Sequence, residues 1–506
     1  LKQAIKVLWR YYDEKIDYQE KEKEEVNKER KKYLFSFYKA DPNYPERGPD
    51  YDLTKKEESK SKKLLEEFYP PENNKISFEN FINRIGFWMA TGAGKTLVIV
   101  KLIEILKYLM ERKEIPQNDI LFLTCRDDLL ETFKDYVKEF NTSQNEIFIK
   151  LRSLKEWDET KRESLSIFKD KEITVFYYRS DNIWTEQKEK KIDFRNYENF
   201  GKWYVLLDES HKGDKEDSIR QTIYSIFSRN GFLFNFSATF VDPRDFLTTG
   251  FNYNLNEFVG NGYGKQIYLS QEEIKVFKEK DDFSEQEKQK IVLKSLILLS
   301  YLKKFAEKIK NIDENFYHYP LLLTLVNTVN PKEAEKDPDL VLFFKEIEKI
   351  AKGKINQKIF DLAKKELRET FEIDNKTIIP ESKEIKIDEK LLEKISYQDI
   401  LKDVFNSKSP SNIEVLTIPG NRQEMVFKLR ASERPFALIK IGDISKWIKE
   451  ELKSYEIIET FDNESIFKKI NRDDSDINIL MGSRTFYEGW DSNRPNIILY
   501  INIGVG

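Results

Sequence analysis

Ala90-Thr91-Gly92-Ala93-Gly94-Lys95-Thr96 is the stretch that decides the fold of this chain. It follows an apolar segment, 85–90, that predicts a strand, and it precedes a segment whose apolar residues have helical spacing. Glycines let such a loop wrap tightly and direct backbone N–H groups at phosphate oxygens at the start of a helix. Lys95 then reaches the β- and γ-phosphates, and the Thr96 hydroxyl binds Mg²⁺. The stretch predicts an ATP·Mg²⁺ site; the alternative is a chance glycine-rich turn.

Two adjacent carboxylates, Asp208 and Glu209, end a second apolar strand predicted at 203–208. Open α/β sheets bind ligands at the carboxyl ends of their strands, where these side chains are expected. Asp208 suits the coordination shell of Mg²⁺, and Glu209 can polarise the attacking water. The alternative is a strand that simply ends in acidic turn residues. We expect His211, two residues further on, to order this acidic loop rather than to act as a base.

The tripeptide Ser237-Ala238-Thr239 ends the next predicted strand, 232–237. We expect the hydroxyls of Ser237 and Thr239 to hydrogen-bond to the acidic loop and to report its state to a bound nucleic-acid strand. This tripeptide is informative only because it follows the acidic loop by one strand.

A fourth motif, 482–491, follows a strand predicted near the end of the chain. Gly489 would allow the backbone to approach a nucleotide closely, and Asp491 would bind its ribose. The Ser483 hydroxyl is a candidate contact to a phosphate of the nucleic acid. The alternative is an exposed aromatic loop.

Short apolar runs that alternate with helices continue on both sides of these motifs. The predicted strands are 85–90, 120–124, 173–178, 203–208, 232–237, and then 321–326, 436–441, 477–482 and 497–501. Near-continuous apolar strands are typical of a mostly parallel sheet that helices cover on both faces. The sequence therefore predicts an α/β protein, and 506 residues favour two or three domains.

Composition excludes several classes of function. The net charge is −4, so nucleic acid would have to bind in a local groove rather than over a basic surface. One cysteine, Cys125, excludes an internal disulfide and favours the reducing cytoplasm. With only His211 and His318 as histidines, a Cys/His zinc cluster is not expected. No apolar run approaches the roughly 18 residues of a membrane span.

Taken together and in this order, the four motifs resemble those of superfamily 2 helicases and translocases, which are P-loop NTPases. The narrower resemblance is to the restriction (Res) subunit of type III restriction–modification enzymes. It rests on Phe87-Trp88-Met89 before the loop and on the block 482–495. Met89 stands where the strict phosphate-loop pattern has glycine, as is usual in the helicase form.

The resemblance implies two RecA-like domains, of which the first holds ATP·Mg²⁺ and the second closes over it to move duplex DNA. We expect the following organisation: a charged, solvated helical extension over 1–82; a first RecA-like domain over 83–265; a helical linker over 266–315; and a second RecA-like domain over 316–506 with an insertion near 345–421. By position, Thr124-Cys125-Arg126 resembles the segment that contacts the DNA backbone, with Arg126 as the candidate, and 178–180 extends this track.

Two features of the Res subunits are expected beyond residue 506: the motif that supplies an arginine finger to the γ-phosphate, and a nuclease domain. The second RecA-like domain is thus expected to be incomplete here. The expected partners are double-stranded DNA and a methyltransferase (Mod) subunit, with no membrane. Alternatives are a stand-alone superfamily 2 helicase or remodeller, and a nucleic-acid-sensing ATPase switch. A small-molecule P-loop kinase conflicts with the third and fourth motifs.

Overall fold

The computed structural model describes most of the chain and divides it into two compact units, Leu1–Lys265 and Gln266–Gly506. The described residues are 1–13, 23–39, 50–52, 60–144, 146–157, 168–169, 171–209, 219–240, 242–265, 284–315, 317–326, 339–373, 387–460, 464–482, 490 and 492–501. Each unit has its own sheet and its own core. None of the helices in these ranges combines the length and the apolar composition that a membrane span requires.

The first unit alternates strands and helices. Its helices are α1 (Lys2–Tyr11), α2 (Lys23–Lys39), α3 (Lys60–Phe68), α4 (Lys95–Glu111), α5 (Asp127–Ser143), α6 (Ile219–Phe227), α7 (Pro243–Leu247) and α8 (Leu255–Gly260). Its strands are β1 (Tyr51–Asp52), β2 (Lys75–Ile76), β3 (Arg84–Met89), β4 (Ile120–Thr124), β5 (Phe148–Ser153), β6 (Phe168–Lys169), β7 (Glu172–Arg179), β8 (Ile183–Trp184), β9 (Ile192–Asp193), β10 (Tyr204–Asp208), β11 (Phe232–Ser237) and β12 (Thr249–Tyr253).

The main sheet of this unit runs in the order β12-β3-β11-β10-β4-β7-β5, and every neighbouring pair in it is parallel. The short strand β6 adds an antiparallel edge to β7. Every residue of β4, β10 and β11 is buried, which is why these strands are apolar throughout. The expected parallel sheet covered by helices is confirmed, and the carboxyl ends of its strands meet at one edge.

The N-terminal helices share the core of the first unit instead of forming a solvated extension. Helix α1 buries Ala4, Val7, Leu8 and Tyr11. On α2, Lys31 is buried, and its Nζ donates to the carbonyl of Asn80 at 2.8 Å. Burial lowers the pKa of Lys31 to about 7, since the charged form loses its hydration.

A buried ion pair lies at the start of β3, at the sheet edge opposite the motifs. The Arg84 guanidinium contacts the Asp245 carboxylate at 3.2 Å, and both side chains are almost fully buried. Arg84 also donates to the carbonyl of Phe81 at 2.8 Å and to the Ser225 hydroxyl at 3.1 Å. Three elements of the first unit are thereby tied to β3.

The second unit has helices α9 (Glu285–Lys310), α10 (Asp339–Ala351), α11 (Gln357–Ile373), α12 (Glu389–Lys394), α13 (Tyr397–Asp403), α14 (Ser445–Glu450) and α15 (Ile466–Lys469). Its strands are β13 (Leu321–Val326), β14 (Ile413–Thr417), β15 (Glu424–Leu429), β16 (Pro435–Lys440), β17 (Ile457–Glu459), β18 (Ile479–Gly482) and β19 (Pro495–Ile501). The sheet order is β17-β14-β15-β16-β18-β13-β19.

This second sheet is mixed, because β15 is antiparallel to both β14 and β16. The remaining pairs are parallel. The described residues of 345–421, the region expected to be an insertion, are mostly helical, but β14 falls inside it and continues the sheet. Helices α10 and α11 contribute Ile347 and Phe360 to the core, so this region is built into the second unit. The predicted α/β class is confirmed in both units.

Candidate active site

The glycine loop connects the carboxyl end of β3 to the first turn of α4. Gly92 and Gly94 have φ values of 82° and 81°, in the left-handed region that side chains avoid, and Gly94 is the N-cap of α4. Gly94 therefore turns the chain directly into the helix. The first backbone N–H groups of a helix have no partner within the helix, and those of α4 are the groups that the sequence predicts to bind phosphate oxygens.

Lys95, the first residue of α4, lies against the acidic end of β10. Its Nζ is 2.6 Å from Glu209 Oε1, and only 9% and 11% of the two side chains are exposed. The same Nζ also lies 3.4 Å from the carbonyl oxygens of Met89 and Ala90 at the start of the loop. The fold thus brings the first two motifs into direct contact, although β11 separates β3 from β10 in the sheet.

The Glu209 carboxylate also contacts the third motif. The Ala238 N–H donates to Oε1 at 3.3 Å, and the Ser237 hydroxyl donates to Oε2 at a long 3.5 Å. The backbone N–H of Glu209 donates to the carbonyl of Phe236 at 3.0 Å. One carboxylate therefore joins the lysine of the glycine loop to the Ser-Ala-Thr loop.

The backbone of Glu209 has a φ of 47°, which is unusual for a residue with a side chain. Its carbonyl accepts a hydrogen bond from the Cys125 thiol at 3.3 Å. Cys125 is buried, and its contact with the acidic loop was not predicted from the sequence. Such strained conformations persist where surrounding contacts fix them, and they concentrate at functional sites.

The two side chains predicted to bind Mg²⁺ lie in elements that meet at this edge. Asp208 is buried at the last position of β10, and Thr96 is partly buried in the first turn of α4. A carboxylate and a hydroxyl are the oxygen ligands that Mg²⁺ prefers, and Mg²⁺ usually completes its shell with phosphates and water. The chemistry of these donors fits the ion.

The candidate nucleic-acid contacts on the first unit carry charges that are already balanced. The Arg126 guanidinium holds both carboxylate oxygens of Asp128 at 2.8 and 2.9 Å. Arg179, at the end of β7, pairs with Asp127 and Asp181. A phosphate would have to exchange with these carboxylates, so this track is not a surface of free positive charge.

Thr239 donates its N–H to the Ser237 hydroxyl at 3.1 Å, which shapes the loop of the third motif.

Four predicted site residues lie outside the described residues: His211, Ser483, Gly489 and Asp491. Their neighbour Trp490 is partly buried, with its ring centroid 5.6 Å from that of Phe467. Arg494 is buried and donates to the carbonyls of Tyr319, Ile470 and Ile477 at 3.1, 2.6 and 2.7 Å. Burial lowers its pKa to about 10, and its three carbonyl contacts give it a structural role in the second unit.

Trp88 is a site residue that the sequence analysis did not single out for a contact. Its indole N–H donates to the carbonyl of Ala238 at 2.9 Å, and its ring packs against those of Phe240 and Phe246. The strand that leads into the glycine loop is therefore hydrogen-bonded to the Ser-Ala-Thr loop. The only indication of this contact in the sequence is a tryptophan, with its one N–H donor, near the end of a strand predicted to be buried.

A glycine loop, an acidic strand end and a Ser-Ala-Thr loop lie at one edge of a parallel α/β sheet, which is the arrangement expected of a P-loop NTPase of the superfamily 2 helicase type. Residues 50–242 match the family model described as type III restriction enzyme, res subunit. This range contains the first three motifs, so the predicted relationship to superfamily 2 helicases and to type III Res subunits is confirmed.

Among solved structures, the UvsW helicase from Bacteriophage T4 is similar to 39% of this chain over 68% of its own length. The sequence identity is 18% and the TM-score is 0.22. No curated protein matches the chain.

Proposed function

We propose that this protein is an ATP-driven motor that moves along double-stranded DNA, as the Res subunit, or a relative of it, in a type III restriction–modification or defence system. The observation that carries the proposal is the shared contact of Glu209 with Lys95 and with the Ser237-Ala238 backbone and side chain. It joins the expected phosphate-binding group to the loop expected to sense nucleic acid.

In the proposed reaction, the N–H groups of the glycine loop and Lys95 hold the phosphates of ATP. Thr96 and Asp208 would hold Mg²⁺, which neutralises the charge that develops on the transferred phosphoryl group. Glu209 orients and polarises the attacking water. Because the Ala238 N–H and the Ser237 hydroxyl contact the same carboxylate, a shift of this loop would change the position of Glu209.

Nucleic acid is proposed to bind through its phosphates, on Arg126 of the first unit and Ser483 of the second. Gly489 and Asp491 would contact the bound ATP rather than the nucleic acid. Since each phosphate contact releases counterions, the affinity should fall steeply as salt rises. A methyltransferase (Mod) subunit is the proposed partner that reads the DNA sequence, and the cytoplasm is the proposed compartment.

The test is the ATPase rate of the natural full-length protein with and without duplex DNA, single-stranded DNA and RNA. Lys95→Ala and Glu209→Gln should abolish any stimulated rate. Lys101→Ala removes a lysine of the same helix whose side chain is 52% exposed, and it should leave the rate unchanged.

Stimulation by duplex DNA that both site variants lose would support the motor. A stimulated rate without displacement of a third strand from a triplex substrate would instead favour the ATPase switch. Stimulation by RNA alone would favour an RNA helicase or a sensor. Hydrolysis that is indifferent to every nucleic acid would refute the proposal.

A further inference from the structure

Aromatic side chains gather where β12 ends, on the side of the glycine loop away from the acidic motif. The ring of Phe258 on α8 lies 6.0 Å from that of Tyr253, edge to face, and 6.1 Å from that of Tyr263 at an interplanar angle of 27°. We refer to Tyr253, Phe258 and Tyr263 as the aromatic platform.

The platform is anchored directly to the glycine loop. Strand β12 is parallel to β3, with Tyr253 opposite Met89, and the Ala90 N–H donates to the Tyr253 carbonyl at 2.9 Å. A Cβ atom on Gly92 would lie 3.9 Å from Cζ of Phe258, which is van der Waals contact. The Phe258 ring is thus an immediate neighbour of the loop.

Hydrogen bonds in the turn after α8 fix the backbone at Tyr263, which carries the outermost ring of the platform. The Tyr263 N–H donates to the Phe258 carbonyl at 3.1 Å, and the Gly262 N–H donates to the Val259 carbonyl at 2.9 Å. The Tyr263 side chain is nevertheless 74% exposed. A fixed and exposed aromatic face is suited to stack on another planar ring.

We propose that the aromatic platform stacks on the adenine base of the ATP whose phosphates the glycine loop holds. This proposal rests on the proposed function, because it extends the same nucleotide site. Strand β3 has two neighbours: β11, which carries the Ser-Ala-Thr loop and contacts Glu209, and β12. The β11 side is occupied by the groups assigned to the γ-phosphate and the water, so the base lies on the β12 side. There the platform offers it an aromatic face.

The experiment measures the affinity of the full chain for Mg·ATP and for Mg·tripolyphosphate by isothermal titration calorimetry. Tyr263→Ala removes an exposed ring, and Phe258→Leu keeps apolar bulk beside the loop but removes the aromatic face. We expect each variant to weaken ATP about tenfold, as loss of one base–aromatic stack does, and to leave tripolyphosphate unchanged. Tyr136→Ala removes a ring of α5 that is 38% exposed, and it should change neither affinity.

Unchanged ATP affinity in both variants would overturn the proposal, and so would an equal loss for ATP and tripolyphosphate, which would indicate a damaged loop. A single-stranded oligonucleotide that loses affinity while ATP does not would assign the platform to nucleic-acid bases and also overturn it. Failure of the motor proposal looks different: ATP binds with the expected dependence on the platform, but no nucleic acid stimulates its hydrolysis.

Discussion

Replacing Glu209 by glutamine should produce a protein that binds ATP more tightly and hydrolyses it far more slowly. In the structure, the Glu209 carboxylate forms an ion pair with the ammonium group of Lys95, with an N–O distance of 2.6 Å. The β- and γ-phosphates of ATP are expected to bind the same ammonium group, so Glu209 and the nucleotide compete for it. Glutamine keeps the size and a hydrogen-bond acceptor but removes the charge.

The size of the effect follows from the burial of the pair. A hydrogen bond to a charged group contributes about 1.5–3 kcal/mol, and the charge accounts for about half of that. Removing the charge should thus make nucleotide binding more favourable by about 0.8–1.5 kcal/mol, or lower the Kd roughly four- to twelvefold. Loss of the group that polarises the water should lower kcat by a factor of about 10²–10⁴.

The assay pairs a calorimetric titration with Mg·ATP and a single-turnover measurement of hydrolysis. Glu111→Gln is the matched control, because Glu111 contacts Lys107 at the same 2.6 Å but at the far end of α4. It should change neither quantity. A Glu209→Gln protein that binds ATP more weakly, or that hydrolyses it at the wild-type rate, would refute the reasoning.

Two further predictions concern stability. Arg84→Met leaves the Asp245 carboxylate buried without its cation and the Ser225 hydroxyl without its donor, so the free energy of unfolding in urea should fall by about 3–5 kcal/mol; a loss under about 1 kcal/mol would contradict this. The pKa of Lys31 is lowered to about 7 in the folded protein. Above that pH the unfolded chain therefore binds one proton more than the folded chain, because its lysine is still charged. The free energy of unfolding should then rise by roughly 1.4 kcal/mol per pH unit as the pH rises from 7 towards 10. Lys31→Met should remove this gain relative to wild type, whereas Lys32→Met on the exposed face should keep it.

The strands that carry the motifs could be predicted from sequence because both of their faces are buried. Expected at 120–124 and 232–237, β4 and β11 have those bounds in the structure, since unbroken apolar runs are the signature of such strands. Short edge strands leave no such signature. Strand β12 is half exposed and contains an irregularity in its pairing with β3. It was not predicted from the sequence.

Strand β15 was also missed, and its first residue shows why a local pattern is not sufficient. It begins with Glu424, which reads as surface but is buried, with its carboxylate accepting from the Ser465 hydroxyl and from the Phe467 N–H. These partners lie about 40 residues away in sequence, so no local pattern contains them. The same holds for the hydrogen bond from Trp88 to Ala238, which depends on the adjacency of β3 and β11.

Glu209 breaks a local backbone rule, as Lys113 and Phe200 do elsewhere in the first unit, but it does so where the chemistry is expected. Glycine explains the left-handed backbone at residues 92 and 94, but nothing in the sequence predicts it at Glu209. A residue with a side chain held in this region costs about 1–3 kcal/mol. A glycine would relieve that cost and lose the carboxylate that contacts both Lys95 and Ala238. The strain is therefore best explained as the consequence of directing one carboxylate at two motifs from the end of a single strand.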